Sequence, residues 1–176
     1  ILLTVDIGRL QDAVNAGVAQ PIKSAVLDRA IPAQYRDPSG LWYGISVRAR
    51  VVYASKERVA QDAITYEELA DPKWKGKIVK SHPSYSGGTL TSTFQVAREL
   101  GWDYFEKLAR QRVLQVQSAT DTPKKIALGE RAVMVDGAGY LVLRYKEENQ
   151  PVEIVYPEEG TPLATGPSAV LKAAPN

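Results

Sequence analysis

An α/β fold with a mostly parallel sheet is predicted by the order of patterns along the chain. Short β-like runs alternate with helical patterns from one end to the other, and the longest apolar stretches, such as Ala132–Val135, are the length of a strand. The first run, Ile1–Val5, reads as a strand. It is followed by a helix from about Asp6, with Leu10, Ala13 and Val14 as an apolar stripe and Gly17 as a stop. Residues 31–40, rich in Pro, Asp and Ser, read as a loop. Gly44–Ser55 is the strongest strand signal, with Val47, Ala49, Val51 and Tyr53 alternating with Arg48, Arg50 and Val52.

Thr65-Tyr-Glu-Glu68 is a capping box in which the Thr65 hydroxyl accepts from the Glu68 amide, opening a short helix that Pro72 ends. Lys77–Lys80 is a strand feeding the Ser/Gly loop His82–Thr89. A helix then presents Leu90, Phe94, Ala97 and Leu100 on one face and stops at Gly101. Trp102–Arg112 is a second helix with Phe105, Leu108 and Ala109 apolar, and Val113–Val116 is a strand. Pro123 stands in the first turn of a helix that Gly129 closes. Ala132–Val135 is a buried strand, and Asp136-Gly-Ala-Gly-Tyr140 turns it into a helix reaching about Glu148. Val152–Tyr156 and Ser168–Lys172 are the last strands, separated by a Pro/Gly/Thr loop.

The 176 residues suffice for one ordinary domain or two small lobes, and 44% hydrophobic with 24% charged residues is the composition of a folded globular chain. No apolar run approaches the ~20 residues of a membrane helix. Twenty-two Lys and Arg against 20 Asp and Glu, interspersed, leave a net charge of +2, which does not indicate a nucleic-acid surface. The absence of Cys excludes disulfides, thiolate metal sites and a Cys nucleophile, and a single His, His82, makes a Ser-His-Asp triad or a multi-His metal site hard to build. Ile1 opens without an initiator Met or signal peptide, and Asn176 follows closely on a strand, so both ends read as cuts in a longer chain.

The loop Ser81–Thr89 is the most informative piece for function. A strand, then small and hydroxyl residues, then a helix is how a fold offers free backbone N–H groups and a helix dipole to an anion. Ser84, Ser86 and Thr89 add hydroxyl donors, and Gly87 and Gly88 allow close approach to the backbone. No Lys-Ser/Thr follows the glycines, so the loop is not a Walker motif, and a plain helix cap with a tight turn is the structural alternative. Tyr85, a bulky aromatic within the loop, faces whatever the loop holds. Asp136–Tyr140 stands at the carboxyl end of a buried strand, where open α/β sheets bind ligands, and Tyr140 is placed to point a phenol there. The alternative is an ordinary turn with Asp136 as its cap. Arg48 and Arg50 share a strand face and are either anion-neutralising or simply solvated or paired. Trp42 and Tyr43 are an aromatic wall or core packing, and His82 is a loop residue or, less simply, a metal ligand.

Four phrases together resemble one family. The segment from Thr65 to Ile78 (TYEELADPKWKGKI) looks like the stretch preceding the ligand loop in bacterial solute-binding proteins of ABC importers, closest to the ferric-iron-binding branch. Residues 42–53 (WYGISVRARVVY) resemble that branch's hinge strand, and residues 127–135 (ALGERAVMV) and 166–176 (GPSAVLKAAPN) also fit. The likeness covers nearly the whole chain. It implies a two-lobed periplasmic-binding-protein fold of the type II-like plan, truncated at both ends, with residues 1–45 in the first lobe, 46–165 in the second and 166–176 returning to the first. It further implies ligand capture between lobes by hinge closure, without chemical turnover, and delivery to an ABC-importer permease.

The same resemblance implies ferric ion as transported ligand rather than a resident cofactor, a periplasmic or lipid-tethered extracellular location, contact with the membrane only through the permease or a tether, no nucleic-acid partner, and a monomer. Iron-binding members usually carry two adjacent Tyr after the strand matching Ala132–Val135; here the place reads Gly139-Tyr140, so one phenolate is absent. Tyr140 matches the second of the pair, and Tyr85 lies near another phenolate position. Ser84, Ser86 and Gly87 fall where a synergistic anion is held, and Asp6 lies near an acidic ligand position. The expected ligand set is therefore Tyr140 and Tyr85 for a metal, with Ser84, Tyr85, Ser86, Gly87, Gly88, Thr89, Asp136, Tyr140 and Arg48 for the ligand or anion. Ferric ion favours several anionic oxygens, so a metal-free site for a phosphonate, phosphate ester or carboxylate stays open beside iron. Two other classes also stay open: an enzyme acting on a phosphorylated substrate, for which only Asp136 or His82 offers a base, and the effector domain of a transcriptional regulator.

Overall fold

The computed structural model describes residues 1–60 and 64–175; Asn176, the last residue of the fourth phrase above, lies outside them. In chain order the elements are β1 (Leu2–Leu3), α1 (Ile7–Asn15), β2 (Ala19–Gln20), α2 (Ala25–Ala30), a 3-10 turn at Ala33–Tyr35, and the long β3 (Tyr43–Ser55). Then come α3 (Tyr66–Leu69), a 3-10 turn at Pro72–Trp74, β4 (Ile78–Ser81), α4 (Gly87–Leu100), α5 (Trp102–Arg110) and β5 (Leu114–Val116). The chain continues through α6 (Asp121–Ala127), β6 (Val133–Ala138), α7 (Gly139–Glu147), β7 (Val152–Val155) and β8 (Leu163–Leu171). Local chemistry accounts for the helix starts. Asp6 caps α1 by accepting from the Arg9 amide at 2.8 Å, Ser24 caps α2 from Leu27 at 3.3 Å, and Thr65 accepts from Glu68 at 3.0 Å as its motif predicts.

The chain divides into two compact units, Ile1–Arg48 with Ala164–Asn176, and Ala49–Leu163. In the first, β8 is antiparallel to β1 (Leu2 opposite Ala169) and to β2 (Ala19 opposite Leu171), and the core gathers Leu10, Ala19, Trp42 and Ala169. In the second, β4 lies between β5 and β6 and is parallel to both, while the Ala49–Ser55 part of β3 runs antiparallel to β6 and β7. Both faces of this sheet are covered. Val52, Ala54, Ile78, Val133 and Val135 pack with Val96, Tyr104 and Leu108 of α4 and α5. The alternating neighbours Val51, Tyr53, Val79 and Met134 pack with Ile126 and Val142 of α6 and α7. The period-2 pleat sends successive residues to opposite layers, and both layers are apolar, which is why these strands read as nearly unbroken hydrophobic runs.

The α/β alternation is borne out, with four corrections. The sheet is mixed rather than mostly parallel, because β3 returns antiparallel to β6 and β7. Short elements escape the pattern: β2 and α2 lie where no periodicity is long enough to register, β1 is two residues rather than five, and β8 begins at Leu163 rather than near Ser168. Helix α4 is rolled from the face its apolar residues predict. Phe94 is 64% exposed and Leu90 43%, while Thr89, Ser92 and Val96 are buried. Small hydroxyl residues let the helix lie close to the sheet, and their oxygens are satisfied there: Ser92 Oγ donates to the Thr89 carbonyl at 3.2 Å and Thr89 Oγ1 to Ser86 Oγ at 3.0 Å.

The fourth correction concerns Asp136, which caps nothing. Strand β6 continues through it to Ala138, and no side chain caps α7. Val51 opposes Gly137 while Tyr53 opposes Met134, so Val135 and Asp136 together face Val52 in a β-bulge. Asp136 takes a φ of 68° at this bulge. Gly137 beside it admits no side chain: a Cβ there would lie 1.9 Å from Met134 Cε and 2.0 Å from Tyr53 Cε1.

Candidate functional site

Two loops leave the carboxyl ends of neighbouring parallel strands in the second unit. Strand β4 runs into His82–Ser86 and then the 14-residue helix α4, and β6 runs into Gly139-Tyr140 at the start of α7. Because β4 and β6 pair in parallel, with Ile78 opposite Val133 and Val79 opposite Met134, both exits fall on one edge of the sheet. That edge is where open α/β sheets present ligand-binding backbone.

The first loop is held from within. The His82 amide donates to the Val116 carbonyl at 2.9 Å, and His82 Nδ1 accepts from the Ser84 amide at 3.1 Å, so His82 shapes the turn. Ser86 is the N-cap of α4, accepting from the Thr89 amide at 3.3 Å. Tyr85 is 63% exposed and packs its ring against that of His82 at 5.7 Å. At the second exit Tyr140 is 58% exposed. Elsewhere in this unit burial pushes the phenols of Tyr53, Tyr66 and Tyr104 above the ordinary tyrosine range, so these three stay protonated. Tyr85 and Tyr140 are the exposed phenols at the strand edge.

Beneath the two exits lies a buried ionic cluster. Arg50 Nε donates to Asp136 Oδ1 at 2.9 Å, and Arg50 Nη2 donates to the Asp136 carbonyl at 2.6 Å and to Thr89 Oγ1 at 3.3 Å. Lys80 Nζ donates to Asp136 Oδ2 and to Thr93 Oγ1, both at 3.2 Å, and lies 5.6 Å from the Phe105 ring centroid. Ser81 and Thr89 share a hydrogen bond alongside. Arg50, Lys80 and Asp136 are 3%, 7% and 3% exposed. A Cβ on Gly88 would lie 3.0 Å from Arg50 Nη1, so the missing side chain at Gly88 makes room for the guanidinium. Arg50 thus spans both exits, gripping the bulge of β6 on one side and the first turn of α4 on the other.

The structure therefore brings together Ser84, Tyr85, Ser86, Gly87, Gly88, Thr89, Asp136 and Tyr140 on one sheet edge, but in two layers. Ser84, Tyr85 and Tyr140 are exposed at the surface; Gly87, Gly88, Thr89 and Asp136 are buried below. Asp136 is occupied by two cations and faces inward, beneath the exposed layer. Arg48 belongs to the first unit, where its Nη2 lies within 3.4 Å of where a Cβ on Gly166 would stand. Asp6 also lies in the first unit, 1% exposed, one oxygen spent on capping α1. Trp42 and Tyr43 form no wall: both are buried in that unit, and the Tyr43 hydroxyl donates to Asp28 Oδ1 at 3.0 Å. Among the described residues no group of three or more His, Asp or Glu is arranged to hold a metal. Lys80 went unnoticed in the sequence, although a lysine inside the apolar run of β4 is the signal that marks it.

A pocket of about 420 Å³ lined by Tyr66, Gln95, Glu159 and Leu163 opens elsewhere in the second unit and includes none of these residues. Loops open to solvent have no enclosing wall, so cavity volume does not mark them.

Comparison with known proteins identifies the family and the fold. A profile for bacterial extracellular solute-binding protein matches residues 1–173. Among curated proteins, the chain is 34% identical to iron uptake protein A2 of Synechocystis, over all of this chain and 56% of that protein. Among solved structures, apo ferric ion-binding protein A of Pasteurella haemolytica superposes with a TM-score of 0.84 at 31% identity, over 99% of this chain and 59% of that one. A Trichodesmium protein in complex with iron and citrate gives a TM-score of 0.77 at 33% identity, over 99% and 60% of the two chains. The chain thus spans a little over half the length of these relatives.

Proposed function

We propose a function from one premise: the chain belongs to the bacterial extracellular solute-binding protein family. It forms part of a periplasmic solute-binding protein that captures ferric iron together with a synergistic anion and hands them to the permease of an ABC importer. It performs no chemical turnover on what it binds. The observation that carries this reading is the pair of exits from β4 and β6. One offers an exposed phenol, hydroxyls and the N-terminus of a 14-residue helix, and the other offers a second exposed phenol.

The chemistry follows from the parts. Ferric ion is a hard cation that selects anionic oxygen, and a phenolate of Tyr140 or Tyr85 is such a donor. Two phenolates fall short of a full coordination sphere. An anion seated on Ser84, Ser86 and the first amides of α4 supplies further oxygens while its charge is met by the helix dipole. The names of the relatives support the cargo: an iron uptake protein, a ferric ion-binding protein, and a protein holding iron with citrate.

Gly139 favours a second reading. Where iron-binding members usually place a tyrosine, this chain has none, and a site with fewer phenolates over a cationic base suits an organic anion without metal.

One experiment separates the two. The full-length protein is titrated with ferric nitrilotriacetate, with and without phosphate, and followed by visible absorption. Iron capture gives a tyrosinate-to-iron charge-transfer band that Tyr140→Phe weakens and that Tyr140→Phe with Tyr85→Phe abolishes. No band under either condition overturns the iron reading and leaves organic-anion capture.

A further inference from the structure

The buried cluster carries more charge than its pairing consumes. Asp136 balances one cation and sits between two, and among the described residues neither Arg50 nor Lys80 has a second carboxylate partner. One net positive charge is therefore enclosed directly under the first turn of α4, with the guanidinium against Gly88 and bonded to Thr89. Burial is costly for such a group, and a fold selected for stability alone would neutralise it or replace it with apolar side chains. The bulge that turns Asp136 inward and the glycine that admits Arg50 are both spent on keeping it there.

We infer that Arg50, Lys80 and Asp136 act as a positioning and charge-setting unit for the Ser84–Thr89 loop, fixing the site's preference for an anion before any metal arrives. The inference rests on the reading of that loop as an anion seat. Lys80 and Arg50 do not touch the ligand. They act through the low-dielectric interior, where the field of one uncompensated charge reaches the loop with less screening than at the surface. Arg50 has a second part in this: by gripping the Asp136 carbonyl and the Thr89 hydroxyl at once, it holds the β6 exit with Tyr140 in register with the α4 N-terminus. An anion bound first would then complete the oxygen set into which iron is received.

Changing the net charge in opposite directions tests this. Asp136→Asn raises the enclosed charge by one and Lys80→Met lowers it by one, whereas Lys80→Arg keeps it. Binding of citrate and of inorganic phosphate, without iron, is measured by titration calorimetry on the full-length protein. Circular dichroism and thermal melts confirm that each variant is folded. The expected result is that Lys80→Met binds both anions about three- to tenfold more weakly, the range for one charge acting across a partly screened interior. Asp136→Asn should bind about that much more tightly, and Lys80→Arg should match the wild type. Opposite signs are the decisive feature, because a merely structural role weakens binding in every variant. If Asp136→Asn fails to fold, the contrast between Lys80→Met and Lys80→Arg carries the test. Equal affinities for those two overturn the inference and leave anion binding intact. A wild type that binds neither anion overturns both this inference and the anion seat beneath it.

Discussion

Two carboxylates of the second unit each sit between two cations, and the two clusters differ mainly in where they sit. Asp136 lies between Arg50 and Lys80, with all three side chains at most 8% exposed. Glu153 of β7 lies between Lys56, at 3.0 Å, and Lys146, with exposures of 37–53%. The formal charges are the same. Water screens the outer cluster, so its pairing contributes little to the stability of the rest of the fold. The inner cluster has no such release: each charge is held by geometry, and the bulge at Asp136, the glycine at 88 and the hydroxyl face of α4 are arranged to supply it. The same charge arrangement is surface chemistry in one place and a constraint on three elements in the other.

The largest effect is expected from breaking the inner cluster at its centre. Asp136→Ala leaves two buried cations without a counter-charge and should lower stability by about 3–5 kcal/mol in urea unfolding. A loss below about 1 kcal/mol would mean that water reaches the cluster and that the contrast is false. Next is Gly88→Ala, which brings a methyl to 3.0 Å from a guanidinium held by Asp136 and Thr89. Crowding of this kind costs about 1–3 kcal/mol, and pairing Gly88→Ala with Arg50→Met in a double-mutant cycle should recover part of it.

The outer cluster should respond least. Glu153→Gln is expected to change stability by about 0–1 kcal/mol, and by still less at 1 M salt. The hydrogen bonds from Lys146 and Lys56 hold the Glu153 carboxyl down at about 2, against its ordinary value of 4.5. A carboxyl depressed on folding stabilises above its unfolded value, so this small contribution is present above about pH 4.5 and fades as pH falls toward 2. Comparing wild type with Glu153→Gln in acid melts isolates it; a difference that grows as pH falls would reverse the assignment.

Much of the fold was legible because its signals are local. The Thr65 cap needs only residues within three positions of it, and Gly101 and Gly129 mark helix ends where φ is positive, at 76° and 70°. Strand β3 announces itself by β-branched alternation. The candidate site was legible as a place on the chain but not as a structure. Ser84, Tyr85 and Tyr140 could be named from their positions after strands. The inward turn of Asp136 and the roll of α4 could not, since each depends on a partner far along the chain: Arg50 lies 86 residues from Asp136 and 39 from Thr89. Leu90 and Phe94 misled because helical periodicity shows where an apolar stripe lies and not which face a sheet will accept.

The sequence by itself determined the alternation of strands and helices, the loop that follows β4, and the family likeness, because period, capping and turn chemistry are read over a few residues. Tertiary structure alone decided that β3 returns antiparallel and that Asp136 leaves the surface. It also decided that Lys80, an unremarked residue of a short strand, joins Arg50 in holding a buried positive charge. Those outcomes turn on which distant groups share a water-poor interior, where an unmet charge is expensive enough to dictate the conformation around it.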